Sequence, residues 1–479
     1  MFGTRLISPV VAFLRKSRTR SVRRHLSPIQ LIALSFLAII AIGTLLLQLP
    51  VSQRDGVHVG LIDCLFTATS ATCVTGLVVV STGETWTRFG QVVILAMIQV
   101  GGIGYMTIAT VAALLLGLRL GLRARLHLQE AQGLTTLKDA MKVTRYIIIG
   151  TLAIEAFGTL LLALRFYYQH GMPWYRAVFE GLFYSISAFC NAGFDLAPRF
   201  FGLTLPAYRD DLVLLVIIGM LLLLGGLGFT VLAELTLLPR MRRLSLYVKL
   251  VLSVTFILIV AGMAFFMLFE YRNPLTLGGM TGSLQQFVTS WFMSITPRTA
   301  GFSPIDISTL TPPSLFLTEV LMVIGASPNS TGGGVKTTTV AIIVLAIAAL
   351  LRQRQDIEIF KRRIGGEMVR LALALVTVYL LAAILVVVGI SLSEITVPHL
   401  PAGPQAMTRF SYLLFEVLSA FGTVGLSAGV TPELTPISRI LIILGMYLGR
   451  LGPLTFIFIF AQVKRPQYRR LPSEPVMAG

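Results

Sequence analysis

The stretch Phe66 to Leu77, FTATSATCVTGL, recurs three more times in degenerate form, each copy lying between two long apolar segments. The copies align on a terminal glycine, at Gly76, Gly193, Gly301 and Gly425, which are 117, 108 and 124 residues apart. An aromatic residue stands ten positions before each glycine (Phe66, Phe183, Trp291, Phe415), and a bulky apolar residue follows it (Leu77, Phe194, Phe302, Leu426). Three copies carry Ser-Ala at one shared offset, as Ser70-Ala71, Ser187-Ala188 and Ser419-Ala420, where the third has Ile295-Thr296. The period is too long for a solenoid repeat and suits a helix, a re-entrant segment and a second helix. Four units running in the same direction can surround one axis. The expected fold is therefore an all-α polytopic membrane protein, with four tandem helix, pore-loop and helix units in pseudo-fourfold array around a central ion pore.

Composition points the same way, because 55% of the residues are hydrophobic and 13% charged, against roughly 25% charged in soluble domains. Eight stretches are long enough to cross a hydrocarbon core as helix, near 29–49, 89–117, 146–168, 211–238, 247–271, 314–350, 368–391 and 436–463. The first is too long and too late for a cleaved signal and is expected to stay as a helix. This divides the chain into a basic tail (1–28), pore unit 1 (29–125), unit 2 (126–239), unit 3 (240–351), unit 4 (352–463) and a C-terminal tail (464–479). Segments 1–28, 118–145, 239–249, 352–370 and 464–479 hold 27 of the 39 Lys and Arg but only six Asp and Glu. By the positive-inside rule all five face the cytoplasm, so both termini are inside the plasma membrane and the repeated motifs open outward.

Several function classes do not fit this pattern. A net charge of +18 could serve phosphate binding, but here it is split among short loops beside membrane spans, where it suits topology and anionic lipid rather than nucleic acid. An enzyme needs a clustered acid, base or metal set, whereas His25, His58, His127, His170 and His399 are scattered through tails and loops. Cys64, Cys73 and Cys190 have no metal-ligand spacing and form no even disulfide set, and read as small apolar residues. A secondary transporter of another small solute is the alternative architecture, but it would be expected to show inverted repeats.

A dehydrated cation needs a ring of oxygens, which short stretches of extended backbone can supply at membrane depth where they line water. Each copy offers such a segment: Thr72-Cys73-Val74-Thr75-Gly76, Phe189-Cys190-Asn191-Ala192-Gly193, Pro297-Arg298-Thr299-Ala300-Gly301 and Phe421-Gly422-Thr423-Val424-Gly425. Side chains differ between copies while the glycine is kept, so the shared requirement is backbone, met by a residue that reaches positive φ freely. Short helices near 61–71, 177–188, 284–296 and 408–420 would point their negative C-terminal ends at the cavity and favour a cation. Arg298 is expected to brace the filter from behind, since a guanidinium in the path would repel cations.

A second set of glycines lies below the first and is expected to break the second helix of each unit: Gly101-Gly102-Ile103-Gly104, Gly225-Gly226-Leu227-Gly228, Gly332-Gly333-Gly334, and Gly445 with Gly449 and Gly452. Close helix packing explains the first two clusters as well as function does. The third differs, because Gly325 to Thr339 (GASPNSTGGGVKTTT) interrupts an apolar run with proline, polar residues and Lys336. It is expected to be an intramembrane loop facing water, with Gly325, Ser327, Ser330, Gly332, Gly333, Gly334 and Lys336 as gate residues. Val335 separates Gly334 from Lys336, so this is not a phosphate-binding P-loop. Arg450, inside the last apolar span, is expected either to form a barrier beneath the filter or to pair with Glu155, Glu234 or Glu319.

With CVTGL, PRTAGF, GASPNSTGGGVKTTT and FGTVGL on the page, the chain resembles the membrane subunit of the Trk/Ktr/HKT superfamily of potassium transporters, from about residue 29 to 463. Its first span begins near residue 29 without the extra helix pair typical of Trk-type proteins, so it most resembles the bacterial Ktr type. The resemblance implies a potassium-channel-like pore, K⁺ as the permeant ion with Na⁺ as an activator, a homodimer with one pore per subunit, and a cytosolic ring of nucleotide-binding, RCK-type regulatory subunits. It matches Gly76 to a position where glycine favours K⁺, the loop from Gly325 to the family's gate, and Arg450 to an arginine beneath the filter. The filter copies depart from the potassium-channel sequence TVGYG, which implies looser selectivity.

Overall fold

The computed structural model describes residues 28–104, 137–197, 205, 208–241, 244–354, 356–395 and 404–452. Within them the chain repeats one pattern four times. A long first helix is followed by a short pore helix, and then by a second helix that stops or breaks at glycine.

The first helices are α1 (Pro28–Gln48), α4 (Leu137–His170), α8 (Leu246–Glu270) and α12 (Gly366–Ile395). Stretches of three of these, Tyr146–His170, Leu246–Glu270 and Gly366–Glu394, are long and apolar enough to cross a bilayer. Their faces expose Phe256, Ile257, Leu381 and Leu385, as lipid-facing helices do. The pore helices are α2 (Leu61–Cys73), α5 (Trp174–Phe189), α9 (Ser283–Ile295) and α13 (Pro404–Gly422), all at the expected places. The second helices are α3 (Arg88–Ile103), α6 (Leu212–Leu227) leading into α7 (Phe229–Met241), α10 (Pro312–Val323) leading by a loop to α11 (Thr337–Leu351), and α14 (Pro436–Leu451).

These second helices break at the glycine clusters where the sequence reading expects it, which splits the 211–238 and 314–350 spans into separate helices. α3 ends at Gly104, α6 and α7 meet at Gly228 with a 97° bend, and α14 ends at Gly452. All three glycines have positive φ, at 85°, 94° and 81°, a hand that right-handed helix cannot continue. The remaining parts of the expected 89–117 and 436–463 spans lie outside the described residues. Between α11 and α12 lies a small antiparallel hairpin, β1 (Ile357–Ile359) with β2 (Arg362–Ile364), within an otherwise helical architecture that agrees with the expected fold class.

The four units close into a ring. Each second helix packs on the pore helix of the next unit: α3 on α5, α6 on α9, α10 on α13, and α14 back on α2. Fully buried aromatics anchor the pore helices, with Phe66, Phe183, Phe292 and Phe415 inaccessible to solvent. The third copy is shifted by one residue from the expected alignment: Phe292, not Trp291, fills the buried slot, while Trp291 is partly exposed and lies against Gly219. Copy three thus has one residue fewer between its buried aromatic and its glycine.

Candidate functional site: a fourfold ring of backbone carbonyls

Where each pore helix ends, the backbone adopts one conformation four times. The residue two before the glycine is left-handed in every copy: Val74 (φ 57°), Asn191 (57°), Thr299 (70°) and Thr423 (49°). Each glycine also has positive φ, at 91° for Gly76, 66° for Gly193, 78° for Gly301 and 90° for Gly425. In an ordinary strand successive carbonyls alternate sides. Inserting residues of opposite hand turns successive carbonyls toward a common side, the arrangement a dehydrated cation requires. Non-glycine residues seldom adopt positive φ, and β-branched Val74, Thr299 and Thr423 are outliers there, so the surrounding packing must hold them.

The glycines themselves define the ring. A Cβ on Gly76 would lie 2.5 Å from the Ala192 carbonyl oxygen and 3.1 Å from Gly193 Cα. On Gly193 it would meet the Ala300 oxygen at 2.9 Å, on Gly301 the Val424 oxygen, and on Gly425 the Thr75 oxygen. The order 76, 193, 301, 425 and back to 76 is a closed circle of four segments of the chain in backbone contact. The carbonyls of Thr75, Ala192, Ala300 and Val424 form one layer of it. Any side chain at these glycines would push against backbone, which has nowhere to yield.

Hydroxyl groups on the last turn of each pore helix fasten the ring, a role the sequence reading did not assign. Ser70 and Ser419 Oγ accept from Gly76 N and Gly425 N, both at 3.0 Å. Ser187 Oγ donates to the Phe194 carbonyl at 2.7 Å, and Thr296 Oγ1 donates to that of Phe302. The Ser-Ala signal was visible, and Thr296 is the third copy's equivalent once the one-residue shift is applied. The other expected filter residues Thr72, Cys73, Cys190 and Gly422 sit at the ends of the pore helices. Cys73 and Cys190 are buried free thiols. Cys190 Sγ lies 3.8 Å from both Gln99 Oε1 and Glu155 Oε1. Arg298 is only 8% exposed and lines a small cavity between α6, α8 and the loop after α10.

Glycines of the second helices support the pore helices from below. Gly101 meets the Thr72 carbonyl, Gly225 that of Phe189 and Gly449 that of Phe421. These contacts are too close for a Cβ, so close packing accounts for the conserved spacing of small residues within this chain.

The segment from Gly325 to Lys336 is a loop folded under the ring. Gly333 N donates to Thr423 Oγ1 (3.0 Å), Thr331 Oγ1 to the Phe189 carbonyl (3.2 Å) and Ser327 N to the Gly226 carbonyl (3.1 Å). Asn329 O accepts from Phe229 N at the α6/α7 bend (2.8 Å), and Pro328 O from the Tyr247 hydroxyl (2.7 Å). Internally, Ser330 Oγ donates to Ser327 O (2.5 Å), and Gly325 N to Val335 O (2.8 Å). Lys336 Nζ turns back onto the carbonyls of Gly332 (2.7 Å) and Gly333 (3.4 Å). Gly334 has φ 67°. Gly332 and Gly333 pack directly on Thr299 and Thr423.

Arg450 spans the structure at this level, donating through its two terminal nitrogens to the carbonyls of Thr331 and Gly101. It therefore ties unit 4 to the loop of unit 3 and to the second helix of unit 1. Among the described residues no ion pair joins Arg450 to Glu155, Glu234 or Glu319; Gln99 Nε2 donates to both oxygens of Glu155 (2.9 and 3.1 Å), and Glu234 Oε2 accepts from Ser245 N (3.0 Å).

Outside the ring, polar clusters hold the mouth. Glu416 accepts from Ser427 Oγ (2.6 Å), Ala428 N (3.0 Å) and Thr431 Oγ1 (2.6 Å). Arg439 pairs with Asp63 at 2.5 Å, joining units 4 and 1. Arg165 and His170 both reach Asp211, which caps α6 through Leu214 N (3.0 Å).

Comparison with known proteins agrees with this architecture. The family model described as TrkH, cation transport protein, matches residues 3–470. The chain is 38% identical to the Ktr system potassium uptake protein B of Bacillus subtilis, over 95% of this chain and 97% of that protein. It is 37% identical to the potassium/sodium uptake protein NtpJ of Enterococcus hirae, over 96% and 99% of the two chains. Among solved structures, the potassium transporter TrkH from Vibrio parahaemolyticus superposes with a TM-score of 0.67 at 16% identity, covering 94% of this chain and 88% of that one.

Proposed function

The chain belongs to the TrkH family of cation transport proteins, and on that premise we propose that it takes up potassium ions across the plasma membrane. The observation that carries this reading is the closed circle of Thr75, Ala192, Ala300 and Val424 carbonyls, each set by a left-handed residue and a positive-φ glycine. Such a ring replaces the hydration shell of a cation and offers nothing to an anion or an organic solute. Relatives named for potassium uptake, and one for potassium and sodium uptake, support K⁺ as the permeant ion; a role of Na⁺ as activator is part of the proposal.

In this mechanism K⁺ enters from the outer mouth, loses water in the filter formed by residues 72–76, 189–193, 297–301 and 421–425, and reaches a closed gate. The Gly325–Lys336 loop, shorter than the expected 325–339 because Thr337–Thr339 form the first turn of α11, lies across the path beneath Thr299 and Thr423, and Arg450 holds it there while placing a positive charge under the filter. Passage requires the loop to leave. The Ktr naming of three relatives favours a cytosolic nucleotide-binding regulatory ring that moves it, with two copies of this chain forming the membrane part. The charge distribution favours cytoplasmic termini, with the basic loops toward that ring and toward anionic lipid. Rubidium uptake into liposomes containing the purified chain tests the reading: uptake that K⁺ competes and Na⁺ competes poorly supports it, and absence of any rubidium flux with or without a regulatory ring refutes it.

A further inference from the structure

Beside the broken second helix of unit 2, between α4 and α7, lies a cavity of about 490 Å³ that the ion path does not use. Ile147 and Ile154 on α4, Phe189 at the end of α5, and Phe229, Leu232 and Leu235 on α7 give it an apolar wall. The 97° bend at Gly228 swings α7 out of the line of α6 and leaves the space beside α4 unfilled. Gly150 opens onto the same space. It lies inside α4, where glycine weakens a helix, and a Cβ there would meet nothing within 4 Å. Close packing does not explain this glycine, whereas an occupant of the cavity does.

Three features select that occupant. The α4 wall belongs to Tyr146–His170, a segment apolar enough to cross a bilayer, so the cavity lies among hydrocarbon rather than water. Along α4 it runs from Tyr146 to Ile154, about 12 Å at helical rise, and a helix of a second copy, ~10–12 Å across, would need roughly twice its volume over that length. An extended hydrocarbon chain fits, since a space of ~150 Å³ already holds a benzene ring. At one end the Tyr146 hydroxyl meets that of Thr236, and beyond that end the sequence turns basic. Lys138, Lys142 and Arg145 precede Tyr146, and Arg240, Arg242 and Arg243 follow Thr236, against Asp139 alone in those two stretches. Basic residues at the end of a membrane span attract anionic headgroups. We propose that this cavity binds an anionic phospholipid, with an acyl chain along α4 and the headgroup at the basic end.

The site also bears on the loop under the ring. Phe229 N donates to Asn329 O (2.8 Å), and the Phe189 carbonyl accepts from Thr331 Oγ1 (3.2 Å). Two walls of the cavity are thus bonded to the Gly325–Lys336 loop, and an acyl chain wedged between α4 and α7 holds the bend, and with it the loop, in the position seen here. That consequence rests on the proposed gate; binding does not, and it is tested without ion flux. Native mass spectrometry of the purified full chain in neutral detergent, with dioleoyl phosphatidylglycerol or dioleoyl phosphatidylcholine, should show a saturable phosphatidylglycerol adduct about tenfold tighter than the phosphatidylcholine one. Gly150→Trp fills the open space and replaces a glycine inside a helix, so it should lose that adduct and melt no lower than the wild-type chain. Phosphatidylglycerol with brominated chains should place bromine density between α4 and α7, beside Phe229, in electron-microscopy maps of the wild-type chain. Equal affinity for the two lipids, an undiminished adduct in Gly150→Trp, or a wild-type cavity filled by detergent or by another segment of the chain when brominated lipid is present overturns the proposal. Both wild-type readouts stand even if the variant fails to fold.

Discussion

At the scale of single residues, the ring makes specific demands. A Cβ at Gly76 would press on the Ala192 carbonyl at 2.5 Å, so Gly76→Ser should displace one oxygen of the layer. A tenfold fall in K⁺ over Na⁺ permeability is expected, equivalent to ~1.4 kcal/mol, and an unchanged ratio in a folded variant contradicts it. Ser70→Ala should leave the buried Gly76 N–H unpaired, destabilising the protein by about 1–3 kcal/mol, measured by thermal unfolding. Ser70→Thr should restore most of that. Arg450 admits a sharper comparison. Arg450→Ala removes both the charge and the tether to Thr331 and Gly101, and should raise flux severalfold. Arg450→Lys keeps the charge but lacks the fork that spans two carbonyls, so flux that rises equally in both variants assigns the role to the tether. The repeated glycines were legible because only backbone need explains their survival among unlike neighbours. The positive φ of Val74, Asn191, Thr299 and Thr423 was not, since nothing in those residue types announces a conformation that packing imposes on them.

At the scale of elements, pore helices were read to within a few residues because each is a short polar-apolar run ending at the shared motif. The breaks in the second helices were legible in place but not in angle. The cluster Gly225-Gly226-Leu227-Gly228 marks a break in the run from Leu212 to Leu237, but nothing in it gives the size of the 97° bend at Gly228. The one-residue shift in the third copy was also hidden, since Trp291 and Phe292 are both plausible anchors and only packing selects Phe292. The Gly325–Lys336 loop was evident from its chemistry, although its partners were not. It is held by Thr423, Phe189, Gly226 and Phe229, contacts distributed over two other units. Shortening the loop by removing Ser330 to Gly332 should break the Arg450 and Phe189 contacts together and raise rubidium flux severalfold without any regulatory partner. Flux that is unchanged while the protein stays folded would make the loop a structural brace.

At the scale of the whole molecule, four units joined in a circle create a path that must be closed for most of the time. The membrane potential drives a monovalent cation inward with ~2.3 kcal/mol per 100 mV, so an open ring would leak. On the proposed reading, control of that path belongs to a separate cytosolic protein. Adding such a nucleotide-binding ring to the reconstituted chain should make flux depend on the nucleotide, and flux indifferent to it at every nucleotide tested would remove that part of the account. The order of the units around the axis was predictable from four copies in one direction, whereas the packing of each second helix on the next unit's pore helix emerges only in three dimensions. The central claim is that the Thr75, Ala192, Ala300 and Val424 carbonyls form a potassium-selective ring. Reversal potentials of liposomes containing the chain, measured with K⁺ on one side and Na⁺ on the other, test it most directly. A potential near that expected for K⁺ alone, shifted toward zero by Gly76→Ser, is the predicted result; equal permeability to the two ions in the wild-type chain would contradict it.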